Sequence, residues 1–213
     1  MRPSLGINGF GKLTSVSRET LDRLKDYVDL LTAWNRRINL VGRDTIGDVW
    51  RRHILDSAQL FPLIPSKART VVDLGSGAGL PGLVLAIMGA PEVHLIESDK
   101  KKVVFLQEAL RITKTNAVIH PKRIDRVAPF AVDVITARAL APLSELLEIS
   151  QRLSGPKTIF LFLKGRKVEQ ELTDTVKTWN MRIDRRPSLT DESGCILRLE
   201  TPHDPGPGIH HHL

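Results

Sequence analysis

Val71-Val72-Asp73-Leu74-Gly75-Ser76-Gly77-Ala78-Gly79-Leu80-Pro81-Gly82 runs from a short apolar segment into a turn with three alternating glycines. Glycines at 75, 77 and 79 let the backbone turn sharply and approach a ligand without a Cβ in the way. Pro81 suits a first helical turn, so the stretch reads as strand, tight loop, helix. In open α/β sheets a small ligand lies over the carboxyl ends of the strands, at such a loop. A second apolar run ends in Glu97, 22 residues after Gly75, where a carboxylate can accept both hydroxyls of a ribose. A dinucleotide site would space its glycines G-x-G-x-x-G and seat a pyrophosphate on the helix N-terminus. Here the spacing is G-x-G-x-G, and Asp73, two residues before the first glycine, would repel a pyrophosphate. Asp73, the three glycines and Glu97 together suit a cationic ligand that carries a ribose. S-adenosylmethionine, with an ammonium and a sulfonium, is such a ligand; an NAD-dependent oxidoreductase is disfavoured on the same grounds. The bland alternative is a glycine-rich turn that only packs a helix on a strand.

The surrounding chain fits a doubly covered sheet. Apolar runs at 70–74, 93–97, 117–120, 132–136 and 158–163 are short and do not alternate, as in strands buried on both faces. Helical stretches at 82–88, 101–113, 143–150 and 167–179 fall between most of them, the order that makes βαβ units and a parallel sheet. Two last strands, 181–184 and 195–200, have no long helix between them and can form a hairpin with one antiparallel strand. Upstream, Ser17 can cap a helix whose stripe of Leu21, Leu24, Val28 and Leu31 extends to about Asn39. A second helix is expected from Asp44 to near Phe61. The predicted organisation is a flexible arm (1–16), an N-terminal helical unit (17–66), an S-adenosylmethionine-binding domain (67–201) and a flexible tail (202–213).

The 213 residues, 41% hydrophobic and 26% charged, exclude wholesale disorder. No apolar run approaches the ~18 residues that span a bilayer, and no charged-then-apolar leader opens the chain. One cysteine, Cys195, excludes an internal disulfide framework and a Cys-based zinc site, so a reducing cytoplasm is expected. No metal site is built on His210–His212. The net charge is +7, of which residues 1–69 supply +5. A basic front end without an amphipathic anchor points to nucleic acid before membrane.

Beyond the glycine loop, the chain carries Trp34-Asn35 with Asn39-Leu40, Arg52-His53-Ile54-Leu55-Asp56-Ser57, Glu97-Ser98-Asp99-Lys100-Lys101, Ala137-Arg138-Ala139 and Leu163-Lys164-Gly165. With these pieces it resembles the bacterial 16S rRNA (guanine-N7)-methyltransferases, the glucose-inhibited division protein B family, over about residues 20–200. It departs mildly at Ile124-Asp125, where Val-Glu is more usual; the carboxylate is kept. The resemblance implies a Rossmann-like class I methyltransferase, with a seven-stranded, mostly parallel sheet behind an N-terminal helical extension. It implies cofactor contacts at Gly75, Leu80, Ile124, Asp125 and Arg138, and a guanine in the 530 loop of 16S rRNA as substrate. The partner is then 16S rRNA or the small ribosomal subunit, and a monomer is the default.

Guanine N7 offers a lone pair in its neutral form, so alignment and not a general base should drive in-line transfer. Arg138, Lys164, Asn39 and His53 are the positioning candidates. His53 and Arg52 lie three and four residues before Asp56, so the acid can meet either on one helix face. Arg52, His53, Lys164, Arg36, Arg37, Lys101 and Arg123 are the candidates for holding RNA. Trp34 and Trp50 lie on apolar stripes and are expected in the core. The alternative reading is a methyltransferase acting on another RNA or a small molecule; a non-catalytic RNA-binding module would leave the cofactor constellation without a purpose.

Overall fold

The computed structural model describes residues 4–201; the expectation for the tail lies outside them. The five apolar runs become parallel strands β1 (Thr70–Leu74), β2 (Glu92–Ile96), β3 (Val118–His120), β4 (Val134–Arg138) and β5 (Ile159–Lys164), of which β3, at the sheet edge, is not buried as expected. A hairpin of β6 (Arg182–Pro187) and β7 (Cys195–Glu200) completes the sheet in the order β3-β2-β1-β4-β5-β7-β6, with β7 antiparallel to both its neighbours. Strand order reverses direction between β1 and β4. Ligands favour the crevice at such a switch point.

Helices α1 (Ile7–Thr14), α2 (Arg18–Asn35), α3 (Asp56–Ala58), α4 (Gly82–Ile87), α5 (Lys100–Thr113), α6 (Leu143–Ser150) and α7 (Val168–Thr175) cover the sheet. One face buries Leu24, Tyr27, Leu31 and Ile54 with Leu83, Leu95 and Phe105, so the N-terminal helices share a core with the sheet. The other face packs Leu143, Leu146 and Val168 on Ile135, Phe162 and Leu197. Trp34 meets Phe105 edge-on at 5.6 Å and Trp50 lies 5.5 Å from Phe10. Both indoles serve packing.

Three expectations need correction. Residues 1–16 are not a loose arm throughout, because residues 7–14 form α1 and bury Phe10 completely. Gly9 and Gly11 each cost a helix roughly 1 kcal/mol, which hid it. Burying Phe10 returns about 1.5–3 kcal/mol, and Gly11 lets Leu21 of α2 approach closely. Second, α2 stops at Asn35 and not at Asn39. The Asn35 amide accepts from Leu40 N and Val41 N, both at 2.9 Å, and donates to Val41 O, folding the chain back. Third, the expected helix from Asp44 to Phe61 is broken into a 3₁₀ turn (Arg43–Asp48), a π turn (Trp50–Leu55), α3 and a 3₁₀ turn (Phe61–Leu63). Such π turns recur at functional sites, and this one carries His53.

Candidate active site

At the carboxyl end of β1 the backbone winds through Gly75 (φ +62°) and Gly79 (φ +88°). A Cβ on Gly75 would lie 2.6 Å from Leu140 Cδ1, and one on Gly79 would lie 2.6 Å from Leu83 Cβ. Glycine is required at both for space as well as torsion. Ser76 O accepts from Gly79 N and Leu80 N, which tightens the turn. Glu97, at the end of β2, binds this loop directly: Oε2 accepts from Gly77 N and Oε1 from Asp99 N, each at 2.8 Å. From below, the buried Tyr27 hydroxyl of α2 donates to Ala78 O at 2.7 Å. We expect Tyr27→Phe to keep the packing but strand that carbonyl, at a cost of roughly 1–3 kcal/mol; thermal melting and S-adenosylhomocysteine calorimetry should both register the loss.

Asp73 lies beneath the loop and is fully buried. Its Oδ1 accepts from Thr136 Oγ1 at 2.8 Å, while Oδ2, packed against Gly82, has no partner of ordinary hydrogen-bond geometry. Burial pushes its pKa up to about 6, against the opposing pull of Thr136, Ser76, the Gly82 amide and Arg138. The carboxylate is thus sealed beneath the loop and does not line the cleft above it.

A cleft of about 520 Å³ opens over these strand ends. Gly75, Glu97, Ile124, Asp125 and Arg138 line it, together with Arg123. Of the expected cofactor residues, Asp73, Gly77, Gly79 and Leu80 do not line it; they build the loop behind it. The space is ample for a nucleoside-sized ligand. Glu97 retains lone pairs for a ribose, Ile124 provides an apolar wall and Asp125 an acceptor, so these residues fit S-adenosylmethionine.

A second cleft, of about 750 Å³, shares the wall Arg138–Ala139–Leu140–Ala141 with the first. Ala139 holds φ +52° although it is not glycine, a strained conformation of the kind found at functional sites. Arg138 is anchored at the wall's start: Nη1 donates to Arg52 O (3.2 Å) and His53 Nδ1 (3.1 Å) and pairs with Asp56 Oδ2 (3.3 Å). A guanidinium has no acceptor, so His53 Nδ1 is unprotonated and Nε2–H donates to Thr45 Oγ1 at 2.7 Å. Thr45 then donates to Gly42 O. Burial first, then Arg138 and Arg52, push the His53 pKa down to about 3, so the imidazole is neutral and fully engaged.

Arg52, His53, Arg138 and Lys164 come together in this second cleft. Asp56 meets neither Arg52 nor His53, as helical spacing had suggested. It binds Arg138, Gln59 and Thr190, from its place directly after the π turn. Lys164 is 7% exposed, pairs with Glu171 and donates to Ala141 O at 3.0 Å. Asn39 is exposed and outside both clefts, as are Arg36, Arg37 and Lys101; Arg123 pairs with Asp125 at 3.3 Å beside the first cleft. Thr45, Glu171 and Asp191 belong to the second cleft and carried no sequence signal, since each reaches it by tertiary folding.

A glycine loop, an acid at the end of the second strand and a switch-point cleft on this sheet order define a class I S-adenosylmethionine-dependent methyltransferase. The sheet is similar to that of an S-adenosylmethionine-dependent methyltransferase from Aquifex aeolicus (TM-score 0.55, 17% identity, covering 73% of this chain and 94% of that one). It is also similar to the glycopeptide N-methyltransferase MtfA complexed with S-adenosylmethionine (TM-score 0.57, 8% identity, 70% and 94% covered). The model of the GidB family, rRNA small subunit methyltransferase G, matches residues 20–191, and the chain belongs to that family. Relatives with the same name include that of Paramagnetospirillum magneticum, 58% identical over 87% of this chain and 91% of its own. That of Rhodospirillum centenum is 53% identical over 92% and 91%.

Proposed function

We propose that this protein transfers a methyl group from S-adenosylmethionine to N7 of a guanine in the 530 loop of 16S rRNA, by in-line attack without a general base. The observation that carries this reading is the meeting of two clefts at Arg138, one fitted to the donor and the other polar and rimmed by cations. When bound, S-adenosylmethionine supplies an electrophilic methyl on its sulfonium. Glu97, Ile124 and Asp125 hold the donor, and Arg138 with Ala139–Ala141 sets the boundary across which the base must face it. Lys164, tied to Glu171 and Ala141 O, keeps one N–H to offer a guanine oxygen.

The candidate bases of the second cleft are engaged: His53 is neutral, but Arg138 occupies its Nδ1, and Asp56, Glu171 and Asp191 pair with Arg138, Lys164 and Arg52. Alignment can supply roughly 7–11 kcal/mol of the barrier. Single-turnover methylation at saturating donor should therefore be flat with pH near neutrality, and a rate that follows one ionisation there would contradict the base-free route. A cytoplasmic monomer acting on the small subunit or its rRNA completes the reading. Among the described residues no helix is long and apolar enough to cross a membrane.

Methyl transfer to 16S rRNA, 30S and 70S fractions, followed by nucleoside identification, tests the assignment. Appearance of 7-methylguanosine supports it; a labelled small molecule with unlabelled rRNA overturns it. RNA affinity should fall with salt, the logarithmic slope growing by about 0.7 per phosphate contacted.

A further inference from the structure

Across the mouth of the second cleft runs an ion pair between distant parts of the chain. Arg52, on the π turn, donates from Nη1 to Asp191 Oδ2 at 3.2 Å, and both side chains are about two-fifths exposed. Asp191 sits in the β6–β7 turn, where its Oδ1 accepts from Ser193 N and Ser193 Oγ. These bonds, with Arg52, hold its pKa below the usual carboxylate value, so it stays anionic. On the same cleft, Arg166 and Lys167 follow β5. Both are exposed, and neither has a carboxylate partner among the described residues, whereas Lys164 and Arg185 nearby pair with Glu171 and Glu169.

A rim of three cations with one carboxylate seated on it is an anion site holding an internal anion. We propose that Arg52, Arg166 and Lys167 form a phosphodiester-binding rim for the RNA strand entering the second cleft, and that Asp191 occupies Arg52 until a phosphate displaces it. This rests on the rRNA reading above and adds where the strand's phosphates are held. Exposed pairs of this kind contribute about 0–1 kcal/mol to stability, so Asp191 can be displaced cheaply. Its negative charge also raises the cost of bringing up any polyanion that cannot engage Arg52.

The test uses Asp191→Asn and the double variant Arg166→Ala/Lys167→Ala. Asparagine keeps the Oδ1 acceptor for Ser193 and replaces Oδ2 with an NH2, which removes the charge and the acceptor that Arg52 uses. Binding of a fluorescent 530-loop hairpin is measured by anisotropy across a salt series, with melting temperature and S-adenosylhomocysteine calorimetry as fold controls. D191N should bind RNA about two- to fivefold more tightly at low salt, the gain closing as salt rises. The double variant should bind more weakly, with a salt slope shallower by about 1.4, or ~0.7 for each lost contact. Unchanged or weaker binding by D191N, or a wild-type slope in the double variant, overturns the rim. If the wild-type protein methylates rRNA while both variants bind as it does, the rim alone falls. If the wild type shows no salt-dependent RNA binding, the rRNA reading falls with it.

Discussion

Arg138→Ala should lower single-turnover methylation of 16S rRNA by at least roughly a hundredfold, the scale of a small misplacement between aligned reactants. Its Nη1 alone ties the end of β4 to Arg52 O, His53 Nδ1 and Asp56 Oδ2. Arg138 and Asp56 are each less than one-fifth exposed, so deleting the cation strands a carboxylate that Gln59 and Thr190 satisfy on only one oxygen. Breaking a buried pair in this way costs about 3–5 kcal/mol, and the residual exposure here favours the lower end. The wall 138–141 then loses its anchor on the side facing both ligands. Donor affinity should fall less than the rate, because Gly75, Glu97, Ile124 and Asp125 remain in place. Arg138→Lys should recover part of the stability, since a positive charge still faces Asp56, but less of the rate, because an ammonium lacks the planar fork. Parallel melting curves, homocysteine-product calorimetry and rapid-quench methylation would separate these effects. Full-rate methylation by the alanine variant would sink the positioning role.

Where interactions are local, the sequence was a sufficient guide. The parallel strands, the glycine loop and the capped start of α2 at Ser17 follow from runs, spacing and one hydroxyl, and the structure has them within a few residues. Glu97 was placed correctly at a strand end, although its bonds to Gly77 N and Asp99 N depend on how the loop winds. What stayed hidden is tertiary. Phe10 drives a glycine-containing helix only because Trp50 and the α2 face await it. Asp56 meets Arg138 and Thr190, 82 and 134 residues away, in place of Arg52 and His53, and Asp191 reaches Arg52 across 139 residues. Asn39 was an expected site residue; Asn35, four residues earlier, does the work of turning the chain and leaves Asn39 in solvent. Asp73 lies fully buried in β1 beneath the loop: its place before the glycines is legible in the sequence, and its depth is not.

That depth gives Asp73 a measurable signature. With a folded pKa of about 6 against an ordinary 3.8, the native state binds the proton more tightly than the unfolded chain does. The sign follows from linkage: stability should fall as pH rises from about 4 through 6, because the unfolded state has then released a proton that the native state still holds. The difference of about two units corresponds to roughly 3 kcal/mol. His53, depressed to about 3, contributes the opposite slope below pH 6.5, so the comparison must be made against Asp73→Asn, in which only the aspartate's part disappears. The penalty of ionising a buried carboxylate has a counterpart in ligand choice. A donor with a sulfonium stabilises the charged form and draws its pKa down, so affinity for S-adenosylmethionine should weaken below pH 6, by roughly tenfold for each unit of that downward shift. S-adenosylhomocysteine lacks the sulfonium charge and should show a smaller dependence. In Asp73→Asn the two ligands should converge, S-adenosylmethionine losing more affinity than its product, and the pH dependence below 6 should vanish. Calorimetry of both ligands on both proteins across that range decides it: equal losses for the charged and uncharged sulfur would show that Asp73 shapes the loop and does not select the cation.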